Sequence, residues 1–267
     1  MLEEFRGEYL TKYKIEEKTL EINICSNFLE RIRLINPSFA KAYWRGLTLR
    51  LERHVGLDAV LETGSPDYFI ILGVQFKRAI NKNYDVRYGE NYYIFEINNN
   101  PANDQHIILW IISHLLHETF PRKIMLIGYS FPMFIDHPEF AQYSPNFLQK
   151  TIFIDAMYFP INKLDRLSHE VYIYEQSHRV LVRSDNEVEI IKTNVLTGED
   201  LVHKFKEISK KQMILISEFR RIRSENLSQL VTRLEQEWNI SKDTIEYIKQ
   251  KIDKKWQIKL SFLLIPP

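Results

Sequence analysis

One stretch of the chain, from Tyr68 to Lys77, is apolar until its last three residues. It is rich in aromatic and β-branched residues and long enough for a central β-strand. Side chains alternate along a strand, so Gln75 and Lys77 should project from one face, opposite Val74 and Phe76. Glutamine and lysine are rarely buried without polar partners. The sequence therefore predicts a central strand that ends at a polar site.

Hydrophobic periodicity predicts further helices and strands on both sides of this strand. In chain order, the predicted elements are a helix at 15–36, strands at 43–51, 57–61, 68–77 and 92–97, a buried helix from Asn103 or Asp104 to near Pro121, and strands at 123–129, 151–154 and 170–174. The order helix, three strands, helix, strand predicts an α/β core with a mixed sheet flanked by helices.

The C-terminal part of the chain has a different character. Charged amphipathic helices are predicted at 200–210 and 213–254, followed by a short apolar segment at 258–265 that is compatible with a final strand. We therefore expect an α/β core at 1–195 and a helical C-terminal extension at 196–267, packed on the core. The extension's leucines favour core packing or a homodimer contact through these helices.

Asp58 lies on the predicted strand before the central one, and turn-forming residues separate the two strands. Hairpin-like pairing would bring Asp58, Gln75 and Lys77 to one edge of the sheet. Oxygens of Asp58, Gln75 and the Phe76 backbone carbonyl are hard ligands suited to Mg²⁺ or Mn²⁺. The metal would lower the pKa of a bound water, and Lys77 would position that water for attack on a phosphoryl group.

Other acidic residues bear on the same site. Glu52 or Glu21 would supply a supplementary carboxylate, since the neutral Gln75 leaves the site short of negative charge. Asp67 is a rival to Asp58, but it lies in a turn signal so close to Gln75 that little chain remains for a turn between two strands. The residues therefore favour Asp58.

This pattern resembles the PD-(D/E)XK, or restriction-endonuclease-like, nuclease superfamily. That core runs helix, three strands, helix, strand, with an aspartate on the second strand and (D/E)-x-K on the third, where Gln75 here replaces the second acid. The strings that resemble an uncharacterised QFK-type group are Gly56-Leu-Asp58-Ala, Gln75-Phe-Lys77-Arg78, Gln105-His106 and Phe131-Pro-Met-Phe134, and the resemblance covers about residues 40–180. It implies a DNA nuclease dependent on Mg²⁺ or Mn²⁺, with Asp58, Gln75 and Lys77 as catalytic residues.

Nucleic-acid contacts are expected next to the catalytic residues. Arg78 follows Lys77 directly, while Gln105 and His106 open the buried helix, whose N-terminal amides are suited to a phosphate. The net charge of +1 means that any such contact must be a local groove. The alternative is a catalytically degenerate module of the same fold that binds nucleic acid or a protein partner in a defence or repair assembly.

Composition removes several other classes. One cysteine and eight glycines exclude thiolate zinc clusters and glycine-rich phosphate loops. His114 and His117 have a spacing that can share zinc, but a third ligand is missing. Ser130 lacks the second glycine of a nucleophile elbow. With no signal-peptide pattern and no apolar run long enough to span a membrane, we expect a cytoplasmic protein without membrane contact.

Overall fold

A computed structural model of the chain describes residues 14–47, 52, 56–65, 67–98, 105–121, 123, 125–159, 168–184, 187–191 and 195–215, and the single positions 229, 232 and 246. The helices are α1 (Glu17–Ile35), α2 (Gln105–Thr119), α3 (His137–Gln142) and α4 (Gly198–Glu207). The strands are β1 (Tyr43–Gly46), β2 (Ala59–Glu62), β3 (Tyr68–Phe69), β4 (Ile71–Phe76), β5 (Asn81–Asp85), β6 (Glu90–Asn98), β7 (Met125–Pro132), β8 (Thr151–Asp155), β9 (Ser168–Tyr174), β10 (Val180–Ser184), β11 (Glu187–Ile191), β12 (Val195–Thr197) and β13 (Ile214–Leu215).

The main sheet has six strands in the order β1-β2-β4-β7-β8-β12. Strands β4 and β7 run parallel, and the other described pairs in this sheet are antiparallel. Helix α2 lies in the connection between β4 and β7, as the parallel pairing requires a crossover. The protein is therefore α/β, with a mixed sheet flanked by helices, as the sequence predicted.

A second sheet has five antiparallel strands in the order β11-β10-β9-β6-β5. Strands β5 and β6 lie in the same connection between β4 and β7, whereas β9, β10 and β11 lie between β8 and β12. The sequence predicted the strands at 92–97 and 170–174, but β5, β10 and β11 were missed. Residues Asn81–Asp85 form a strand because they pair with β6 along their whole length, although their composition is polar. The Lys77–Ile80 segment joins this hairpin directly to the end of β4.

Two hydrophobic clusters lie on opposite faces of the main sheet. One contains Tyr93 and Phe95 of the second sheet together with Leu109 and Ile112 of α2. Every residue of α2 from His106 to Leu116 is buried, which confirms the prediction of a helix that is apolar almost all round.

The second cluster packs helices α1 and α4 against the other face of the sheet. Helix α1 contributes residues at helical spacing, including Leu20, Ile24, Phe28 and Ile32. It ends at Asn36, whose side-chain oxygen accepts a hydrogen bond from the Ser38 backbone N–H and whose amide donates to carbonyls near the end of α4. The predicted helix at 15–36 is confirmed.

The C-terminal predictions meet the structure over a short span. Helix α4 agrees with the prediction at 200–210, but Ile214–Leu215 is strand β13, paired with β3, so the predicted start of a helix at Met213 is wrong. Edge pairing satisfies the backbone groups of these two residues in place of helical hydrogen bonds. The boundary at 195 stays a prediction, and most of 216–267, including the expected dimer helices, lies outside the described residues.

Within the described ranges, no helix is both long enough and apolar enough to cross a membrane.

Gly128 in β7 provides a stability test of the main sheet. A Cβ atom at this position would overlap the backbone carbonyl oxygen of Ile154 on β8, which cannot move without breaking the strand pairing. We expect Gly128→Ala to lower the free energy of unfolding by about 3 kcal/mol, measured by urea denaturation. Gly46→Ala is the matched control, because nothing lies within 4 Å of its added Cβ, and a loss equal to that of Gly128→Ala would contradict the packing.

Candidate functional site

Asp58 sits at the start of β2, where that strand meets the end of β4. Its backbone N–H donates to the Val74 carbonyl at 2.9 Å, and its side-chain Oδ2 accepts from the Phe76 backbone N–H at 2.6 Å. The predicted pairing therefore exists, with Ala59 opposite Val74 in antiparallel register. The Asp58 carboxylate is held directly over the last residues of the central strand.

Gln75 lies on the face of β4 that looks towards α2. It is 4% exposed, and its Nε2 donates to Oε1 of Gln105 at 2.7 Å. Val74 and Phe76 instead belong to the cluster on the α1 face, so the predicted alternation is confirmed from Val74 to Phe76, while Lys77 lies just beyond the strand. The bond from Nε2 directs the Gln75 nitrogen to Gln105 and leaves its amide oxygen as the remaining acceptor.

Glu17, on the first turn of α1, is the residue that the sequence reasoning missed. Its carboxylate accepts a hydrogen bond from the Arg78 backbone and lies within electrostatic reach of the Lys77 and Arg78 side chains. Burial raises the pKa of Glu17, and Lys77 and Arg78 oppose that rise. A signal was present in the sequence, because Glu17 and Glu21 are four residues apart and share one face of the helix.

Glu21 and Glu52, the two predicted supplementary acids, form one group around Lys18. The Lys18 ammonium donates to Glu21 at 2.6 Å, and this bond raises the pKa of Lys18. Burial raises the pKa of Glu52, which Lys18 partly offsets. The carboxylates of Glu21, Glu52 and Asp58 all act electrostatically on Lys18. Helix α1 therefore brings acidic groups close to Asp58.

Asp58 itself has an unusual ionisation. Burial raises its pKa from an ordinary value of 3.8 to about 7, while the Phe76 N–H bond opposes that rise. The neighbouring carboxylates of Glu17 and Glu21 raise the pKa further, and Lys77 lowers it. The site therefore gathers three carboxylates and two lysines, Lys18 and Lys77, in a partly buried place, an arrangement typical of functional sites.

The other predicted nucleic-acid contacts differ in their access to solvent. Arg78 and Gln105 are partly exposed. His106 is 2% exposed, and its Nδ1 hydrogen-bonds the hydroxyl of Tyr129 at 2.7 Å. Burial lowers the pKa of His106 to about 3, so its ring is neutral near pH 7 and holds the start of α2 against β7. Of the three predicted nucleic-acid contacts, Arg78 and Gln105 are therefore the two that a ligand can reach.

The structure also places the rival candidates. Asp67 is exposed and precedes β3, at the opposite end of the central strand from Gln75. His114 hydrogen-bonds the Trp110 carbonyl, whereas His117 bonds Asp155, so the two histidines turn to different partners. Ser130 is fully buried inside β7 and is not at a strand-to-helix turn.

The donor set at Asp58 suits a hard divalent cation, since it offers carboxylate and amide oxygens. Among the described residues, none donates a hydrogen bond to Asp58 Oδ1 or to the amide oxygen of Gln75. However, no three His, Cys, Asp or Glu side chains of the described ranges are arranged closely enough to hold a metal ion. The carboxylate and amide oxygens suit a divalent cation, but the carboxylates of α1 would have to approach Asp58 to complete a metal site.

Comparisons of the chain with family models, with curated proteins and with solved structures find no match.

The raised pKa of Asp58 gives a test by pH. A carboxyl group whose pKa is higher in the folded than in the unfolded chain binds more protons when folded, so it lowers stability as pH rises from about 4 to about 7. Asp58→Asn keeps an oxygen acceptor for the Phe76 N–H but cannot ionise. We expect the variant to gain about 1–2 kcal/mol relative to wild type between pH 4 and pH 8, in urea denaturation across that range.

The exposed Asp67→Asn serves as the control and should run parallel to wild type at every pH. A stability difference between wild type and Asp58→Asn that does not change with pH would contradict the burial of an ionisable group at this position.

Proposed function

We propose that the protein is a Mg²⁺- or Mn²⁺-dependent nuclease with a restriction-endonuclease-like core, and that it hydrolyses phosphodiester bonds of DNA. The observation that carries the proposal is the meeting of Asp58, Gln75 and Lys77 where β2 begins and β4 ends, with Glu17 and Glu21 of α1 beside them. If one of these residues had only a separate binding role, there would be no reason for all five to lie together.

The order of elements supports the same fold. Helix α1, strands β1, β2 and β4, helix α2 and strand β7 follow each other along the chain and build the centre of the main sheet. The β5–β6 hairpin is inserted between β4 and α2 and belongs to the second sheet. Without that hairpin and the two-residue strand β3, which pairs with β13 outside the main sheet, the order is the helix, three strands, helix, strand of the superfamily that the sequence resembles.

Each residue has a role in the proposed reaction. Asp58 and the oxygen of Gln75 would hold the cation, together with the Phe76 carbonyl and Glu21 or Glu52; Glu17 is a further candidate. A bound Mg²⁺ would supply a water of lowered pKa and offset charge on the phosphoryl oxygens. Lys77 would position the water, and its positive charge acts on the carboxylates of Glu17 and Asp58.

The substrate would approach over the partly exposed Arg78 and Gln105. Because positive charge is not in excess over the whole chain, phosphate binding would depend on these few side chains and on salt concentration. Location in the cytoplasm and a homodimer through the C-terminal helices remain predictions that accompany this proposal.

Cleavage assays test the proposal. We expect Asp58→Ala and Lys77→Ala each to lower the rate of DNA cleavage by about 100-fold or more, measured on plasmid and oligonucleotide substrates with Mg²⁺, Mn²⁺ or Ca²⁺. Asp67→Ala and Lys41→Ala change exposed residues of the same types and should retain wild-type rates. Cleavage by both site variants at the wild-type rate, in every metal, would overturn the proposal.

A second candidate function is a degenerate module of the same fold that binds nucleic acid or a protein partner in a defence or repair assembly. Two observations favour it: Gln75 is neutral and tied to Gln105, and the described carboxylates do not form a ready metal cluster.

Calorimetry separates the two candidates. The binding module predicts no heat of Mg²⁺ binding at millimolar metal, together with DNA binding that weakens as salt increases. The nuclease predicts Mg²⁺ binding that Asp58→Ala abolishes, while Asp67→Ala leaves it intact. Wild-type protein that binds neither Mg²⁺ nor DNA would contradict the nuclease and the DNA-binding form of the module.

A further inference from the structure

A second candidate site lies at the other end of the central strand from Asp58. A cavity of about 360 Å³ opens where β4 and β7 begin, between the last turn of α2 on one face of the sheet and α4 on the other. This volume is within the range of pockets that bind small ligands. Ile71 and Met125, which pair in the first register position of β4 and β7, form part of its wall.

The most polar part of the cavity wall is a histidine held by a buried aspartate. Asp155 is 5% exposed, and its carboxylate accepts hydrogen bonds from the Ser113 hydroxyl, the backbone N–H groups of Ile127 and Met157, and the His117 ring. Four donors therefore occupy Asp155, so it has little left to offer a ligand. Ser113 and His117 are one turn apart on α2, which directs both side chains to this carboxylate.

These bonds determine what His117 can present to the cavity. The two backbone N–H groups can only donate, so the Asp155 carboxylate is the acceptor in these bonds. The Nε2 of His117, 3.1 Å from Asp155 Oδ2, must then carry a hydrogen. The other ring nitrogen remains for a ligand, as an acceptor in the neutral ring or as a donor in the imidazolium.

The remaining charged groups of the wall favour an anionic ligand. Lys123 and Lys204 line the cavity, and Glu207 is the opposing carboxylate. The Lys123 ammonium donates to the carbonyls of Lys211 and Met213, which fixes its position in the wall. Among the described lining residues, two ammonium groups and one imidazole therefore face one carboxylate, that of Glu207, besides the fully hydrogen-bonded Asp155.

Apart from Gln212 and the hydroxyl of Tyr158, the rest of the described wall is apolar. Leu72, Leu126, Leu196, Leu201 and Phe205 contribute hydrocarbon surface from β4, β7, β12 and α4. An occupant that satisfies both parts of the wall combines an apolar body with a small, singly charged anionic group. We propose that this cavity binds a small amphipathic carboxylic acid, with its carboxylate at His117 and Lys204 and its hydrocarbon part against the leucines.

Octanoate and octan-1-ol are suitable probes, because they have the same chain length and differ in the head group. With the full-length protein, isothermal titration should show one saturable site for octanoate. The affinity for octan-1-ol should be lower than that for octanoate by roughly tenfold or more. Lys204→Met and His117→Gln should each lower octanoate affinity by about tenfold and leave octan-1-ol binding unchanged. Glutamine retains an N–H for Asp155 but has no second ring nitrogen.

Lys206→Met is the matched control, since Lys206 is exposed on the same helix and is absent from the cavity wall. Its octanoate affinity should equal that of wild type, and circular dichroism and thermal unfolding should show that all three variants fold. The proposal is overturned if octanoate shows no saturable binding up to roughly 10 mM. It is also overturned if octan-1-ol binds as tightly, or if Lys204→Met and Lys206→Met bind octanoate equally.

Discussion

The pairing of β2 with β4 decides which side chains can meet at the candidate active site. Asp58 is joined to β4 twice, through its backbone N–H to Val74 and through its carboxylate to the Phe76 N–H. A shift of one residue in this register would turn Asp58 to the opposite face and break both bonds. Gly73 contributes to the same register, because a Cβ there would lie 2.6 Å from a methyl group of Leu57.

Burial of acidic groups is the electrostatic consequence of this pairing. Asp58 is brought towards Glu17 and Glu21, and burial together with like charge raises its pKa to about 7. Lys18 and Lys77 provide the compensating positive charge from α1 and β4. A cluster of this kind costs stability when ionised, and a divalent cation bound to it would favour the ionised form.

The sequence predicted the parts of the fold whose hydrophobic pattern is strong. Helices α1 and α2, strands β4 and β7, and the closeness of Asp58 to Gln75 followed from periodicity and strand alternation. Polar strands such as β5 were missed because their stability comes from pairing with β6, which no local pattern shows. The two-residue strand β13 was read as helix for the same reason, since its partner β3 is remote in sequence.

Glu17 shows a different limit of sequence reasoning. It was missed because the family pattern draws attention to the strand residues, and only the packing of α1 shows that the chain around Arg78 passes beside the first turn of that helix. The cavity at His117 also depended on tertiary structure. Asp155 comes from β8 and His117 from α2, and the two meet only once β7 and β8 have paired.

The neutral residue at position 75 is consistent with the charges around it. A glutamate there would add a fourth carboxylate to Glu17, Glu21 and Asp58, and like charge would raise the pKa values of Glu17 and Asp58 further. A glutamate would also be unable to donate the hydrogen bond that Gln75 gives to Gln105. The acids on α1 thus place negative charge at the site from the helix, while Gln75 contributes an oxygen without adding charge and ties the end of β4 to the start of α2.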